Sequence, residues 1–93
     1  MTARARIAVG AARPQGDGWA LDVRARGHAF AVTLRRADLE RWAPPGTTPE
    51  RVVEAAFEFL LANEPVTSIL SSFDCSVIRS YFPEVDRELP RRL

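Results

Sequence analysis

Apolar residues alternate with polar ones over the first third of the chain and recur at every third or fourth position after it, with the change near residue 36. A period of two belongs to strands with one buried face, and a period near 3.6 to helices. Ala5, Ile7 and Val9 alternate with Arg4, Arg6 and Ala8, which predicts a strand over about 4–10. Arg13-Pro14-Gln15-Gly16-Asp17-Gly18 is dense in turn formers. Trp19, Leu21, Val23 and Ala25 then alternate with Ala20, Asp22, Arg24 and Arg26, predicting a strand over 18–26. Gly27-His28 reads as a tight turn, and Phe30, Val32 and Leu34 predict a third strand over 28–35. Connections this short favour an antiparallel meander. One face collects Ile7, Val9, Trp19, Leu21, Val23, Phe30, Val32 and Leu34. The other collects Arg4, Arg6, Asp22, Arg24, Arg26 and Arg35, too much charge to bury, and so meets water or a partner.

Beyond the switch, Leu39 and Trp42 predict a short helix over 36–42, ended by Ala43-Pro44-Pro45-Gly46. Thr48 and Pro49 form an N-cap and first helical residue for a main helix over 49–62, with Thr47 and Glu50 as a competing capping box. Its buried stripe is Val53, Ala56, Phe57, Leu60 and Leu61, widened by Val52 and Phe59, and Glu50, Glu54 and Glu58 form an acidic ridge at i, i+4 spacing. A second apolar ladder runs through Val66, Ile69, Leu70, Phe73, Val77, Ile78, Tyr81, Phe82 and Val85. Ser71-Ser72 and Asp74-Cys75-Ser76 make a poor helix interior, so the ladder reads as two short helices, 66–73 and 75–82, with Asp74 capping the second. Residues 84–93, charged and carrying Pro90, read as a frayed tail. The sum is a single α+β domain: an N-terminal three-stranded antiparallel meander covered on one face by C-terminal helices.

Composition narrows the classes of function. The chain has 93 residues, 46% of them apolar, enough for one globular core. No apolar run is long enough to span a bilayer, and no secretory signal precedes the first strand. The single cysteine, Cys75, excludes an internal disulfide, and a reducing cytoplasm is the expected compartment. Net charge is only +1, but residues 1–43 hold eight arginines against four acids and residues 44–93 hold five against eight. All thirteen basic residues are arginine, a usage that fits a GC-rich genome and also fits selection for bidentate contact with phosphate or carboxylate.

Phe57-Glu58-Phe59-Leu60-Leu61, Glu64-Pro65, Ser68-Ile69-Leu70, Phe73-Asp74, Val77-Ile78 and Tyr81-Phe82-Pro83-Glu84 together resemble the ending of small bacterial proteins of about this length with no assigned activity. The resemblance covers residues 49–89. It implies a small bacterial protein and carries over no catalytic or binding residue.

No catalytic constellation stands in the sequence. His28 lies in a turn beside Gly27, and one histidine with one distant cysteine falls short of the three or four ligands a metal needs. Cys75 follows an N-cap, where a thiol can be activated, but no basic neighbour adjoins it. Ser68–Phe82 loosely follows a helix-turn-helix with Arg79 in its second helix, although that helix commits Val77, Ile78, Tyr81 and Phe82 to the core. The expectation is therefore a cytoplasmic, non-enzymatic protein without metal, cofactor or membrane. It acts through a protein partner or a second copy, using Arg4, Arg6, Arg24, Arg26 and Arg35 together with Glu50, Glu54 and Glu58. The alternative is nucleic-acid binding through the arginine face or the degenerate helix-turn-helix.

Overall fold

Two eight-residue strands, β3 (Gly18–Ala25) and β4 (His28–Arg35), form the centre of the sheet in a computed structural model that describes residues 7–93. Arg4 and Arg6 lie outside the described residues. The alternation along both strands buries Leu21, Val23, Ala25, Phe30, Val32 and Leu34 and leaves Asp22, Arg24, Ala29 and Ala31 exposed. The two-residue turn between them is Arg26-Gly27, not Gly27-His28. Both residues have positive φ, 50° and 82°, as the twist of a tight hairpin requires. Arg26 therefore stands at the tip of the hairpin and not on the sheet face.

Among the described residues the sheet has five strands where the periodicity predicts three. β1 (Ile7–Val9) and β2 (Arg13–Gln15) both pair antiparallel with β3, one after the other along the same edge. Between them the chain kinks outward: the Gly10 N–H still reaches the Asp22 carbonyl at 2.8 Å, but the Ala12 N–H turns to Glu50 Oε2 at 2.8 Å. Pro14 is tolerated in β2 because an edge strand has a side with no ladder to serve. This rich cluster of turn formers thus holds a short strand that alternation does not reveal. On the other edge, β5 (Ser72–Asp74) pairs parallel with β4. A pure meander is excluded by that pair, whose crossover contains the two main helices.

Helix α1 (Arg36–Trp42) leaves β4 directly, and α2 (Pro49–Asn63) follows, with Thr48 Oγ1 accepting from the Arg51 N–H at 3.2 Å. Val52, Val53, Ala55, Ala56, Phe57, Phe59 and Leu60 are all buried, because α2 lies on the sheet with other helices packed around it. The Phe57 ring sits between Phe30 and Phe73, at centroid distances of 5.1 and 6.0 Å.

The segment that reads as a helix over 66–73 is a 3-10 turn (Val66–Ser68), an extended stretch and β5. The second predicted helix, 75–82, is a 3-10 turn (Cys75–Val77) running into the single-turn α3 (Ile78–Tyr81), with Asp74 accepting from the Ser76 N–H at 3.0 Å. The serines at 71, 72 and 76 compete with helical hydrogen bonds, and a strand edge beside β4 satisfies the backbone instead. A strand between two tight turns also removes the helix-turn-helix reading of 68–82. Residues 84–93 are no frayed tail: they contain α4 (Val85–Arg92), docked by Val85 and Leu89, both fully buried. One apolar i, i+4 pair among charges is enough to anchor two turns and too little to stand out in the sequence.

Candidate functional site: an apolar groove beside the edge strand

The charged residues singled out in the sequence are dispersed and largely engaged. Arg24 is exposed on the open face of the sheet, among Ala8, Ala20, Ala29, Ala31 and Thr33. Arg35 reaches Asp74 at 3.5 Å, and Arg13 pairs with Asp22 at 3.1 Å. Glu50 is tied to the Ala12 N–H. Glu54 and Glu58 flank Arg51 at 3.1 and 3.9 Å, and Arg51 also donates to the Arg92 carbonyl at 3.0 Å. Glu50 therefore fastens the β1–β2 connection to α2, and Arg51, held between Glu54 and Glu58, fastens the end of the last helix. Arg24 and Arg26 make no ion pair among the described residues.

A second polar cluster leaves no mark in the spacing of the sequence. Arg79 of α3 donates to both oxygens of Asp86, at 2.8 and 2.9 Å, and to Asp38 Oδ1 at 3.0 Å. Trp42 donates its indole N–H to Asp86 Oδ1 at 2.8 Å, and the guanidinium lies 5.7 Å from the Trp42 ring centroid. The cluster joins α1, α3 and α4. The Arg79 hydrogen bonds, and after them the Trp42 N–H, hold the Asp86 carboxyl below the usual carboxylate range despite some desolvation, and the same bonds drive the Arg79 value up. Asp38 is nearly sealed, and its Oδ2 has no hydrogen-bond partner among the described residues.

Cys75 is fully buried, and desolvation, reinforced by the charges of Asp74 and Asp38, pushes its thiol up. It stays protonated and is no nucleophile at neutral pH. Asp74 is desolvated too, yet hydrogen bonds from Ser76 and Thr33, with Arg35 nearby, bring its value down. It serves as a cap and strand lock. His28 is exposed at the start of β4, with its ring centroid 6.4 Å from that of Phe30. Among the described residues, no three His, Cys, Asp or Glu side chains group as a metal site, and no helix is long and apolar enough to cross a membrane.

What the structure leaves uncovered is apolar. The C-terminal end of α2, the 66–70 stretch, β5 and α3 enclose a groove with a cavity of about 130 Å³. Leu60, Ile69, Phe73, Ile78 and Phe82 form its floor and walls, and Leu70 and Tyr81 stand on its rim. Those two are the exposed large hydrophobic residues among the described ones, at 52% and 67%. Glu64 is the one charged residue lining the groove, and it makes no ion pair among the described residues. No protein family, no curated protein and no solved structure matches the chain.

The apolar ladder of the sequence contains both rim residues but assigns them to the core. The signal that separates them is Ile69-Leu70 itself. In an extended stretch, adjacent side chains point to opposite sides, so burying Ile69 commits Leu70 to the surface.

Proposed function

We propose that this chain is a non-enzymatic protein that works by binding another protein, and that the groove beside β5 is where it binds. The observation that carries this reading is the pairing of an open apolar cavity with Leu70 and Tyr81 on its rim. Scattered exposed apolar side chains are ordinary on a protein surface; a contiguous patch around a concavity is the usual mark of an interaction site.

The test is quantitative affinity capture from the protein's own cells with the wild-type chain and a Leu70→Glu/Tyr81→Glu variant. Both positions are exposed, so circular dichroism and thermal melting should coincide for the two proteins. At least one protein recovered by the wild type should be lost with the variant. Identical recoveries would refute the groove as the binding site. A second reading, nucleic-acid binding, rests on Arg24 and Arg26, which are unpaired among the described residues at one end of the β3–β4 hairpin. It predicts affinity for mixed RNA or DNA that falls steeply with salt and is lost on Arg24→Glu/Arg26→Glu.

A further inference from the structure

We infer that the groove receives an extended segment of a partner protein as an added strand on β5, with one apolar side chain of that segment in the cavity and a basic residue beside Glu64. This rests on the groove being the binding site. The first ground is the open edge. β5 ends the sheet, and its ladder to β4 uses alternate residues: the Ala31 N–H donates to the Ser71 carbonyl at 2.8 Å, so the backbone groups of Ser71 and Phe73 turn toward β4. The N–H and carbonyl of Ser72 then point the other way, and Leu70, Ser71 and Ser72 are all exposed. An unpaired edge is a template for a further strand, and Ser72 together with the exposed residues before it offers such an edge.

The second ground is continuity. Phe73 belongs to β5 and also lines the groove. A strand laid along β5 therefore turns every second side chain toward the cavity. A volume of about 130 Å³ is close to the roughly 150 Å³ cavity that holds a benzene ring, so the site fits one ring or branched aliphatic side chain and not a row of them. The third ground is charge. Glu64 is the groove's single charged residue and lacks a cation among the described residues, which selects for a basic residue on the incoming segment. A second copy pairing β5 with β5 brings no such cation, because the only charge in Leu70–Asp74 is Asp74. The segment that fits is therefore not β5 of a second copy but an extended stretch of a partner that carries its own cation beside an apolar residue.

A phage-displayed library of random peptides of about nine residues, long enough for the strand and both flanks, is selected on the immobilised full-length chain. Enriched peptides should carry an apolar residue with a Lys or Arg close by, and should shift the amide NMR signals of Leu70–Asp74 and Tyr81. Methylating the peptide's backbone nitrogens at one set of alternate residues should weaken binding at least about tenfold, and at the intervening residues less than about twofold. Selection on a Glu64→Lys variant should exchange the basic preference for an acidic one. Peptides that shift the groove signals but tolerate methylation at every position would overturn strand addition and leave the groove as a site. A library that yields nothing binding the wild type better than Leu70→Glu/Tyr81→Glu, or only peptides mapping to another face, would overturn both.

Discussion

Helix α3 is a single turn with two unlike sides. Arg79 leaves it toward Asp38, Asp86 and the Trp42 ring, into a cluster that ties three helices together. Tyr81, about 200° further around the helix, stands at the rim of the apolar groove and two-thirds exposed. One side spends its donors on holding the C-terminal half in place, and the other leaves apolar surface open. An isolated turn of helix has no stability of its own. The clamp therefore fixes the groove wall, and the residues that stabilise the fold are separable from those available to a partner. That separation can be tested by mutation.

The largest effect should come from the clamp. Arg79→Ala leaves Asp38 and Asp86 facing each other's surroundings without a cation, at a cost of roughly 2–4 kcal/mol. This is somewhat below the cost of breaking a fully buried pair because Arg79 and Asp86 retain some water. Urea denaturation measures it, and a loss under about 0.5 kcal/mol would show that the two sides of α3 are not so divided. The same cluster should also respond to acid. Asp86 titrates below its ordinary 3.8 in the folded chain, so its contribution is fully present above that value and is lost as the pH falls through the lowered folded value. Wild type should lose stability between about pH 5 and pH 2 more steeply than Asp86→Asn, which starts lower and changes less. Equal slopes would remove Asp86 from the acid response.

A smaller gain is expected at the hairpin tip. Arg26 holds a φ of 50°, a region that side chains other than Gly, Asn and Asp disfavour. Arg26→Gly should raise stability by about 0.5–1 kcal/mol, read as a higher denaturation midpoint at unchanged slope. The smallest change belongs to the groove side of α3. Leu70→Ser and Tyr81→Ser should each stay within about 0.5 kcal/mol of wild type. A larger loss would mean that the rim is part of the core after all.

The legibility of the chain follows the same division. β3, β4 and α2 are plain in the sequence because each is long enough for its period to repeat: Leu21, Val23 and Ala25 can face the core in only one register, and of the two caps offered at Thr47 and Thr48 the one followed by Pro49 is the one used. β2 and β5 are three residues each, too short for alternation to show, and both owe their existence to a neighbour already in place. The ladder from Val66 to Val85 has helical spacing, yet only part of it is helix. A strand between two 3-10 turns can press most of the same residues on the same core while leaving Leu70 and Tyr81 outside it. The groove is hidden for the same reason, since helical spacing puts its rim residues on the core side. Alternation alone places Arg26 on a strand that has already turned, and carries no sign that Arg35 reaches across to β5.

The parallel pairing of β4 with β5 also has a consequence for how the chain is made. Bonds that lock the architecture join residues 41 to 44 positions apart, Thr33 to Asp74 and Trp42 to Asp86 among them. A nascent chain that has released only its hairpin and first helices lacks the partners that seal those contacts. Assembly should therefore be a single late event, begun once the segment from β5 to α4 is free to pack on the sheet and helices that precede it.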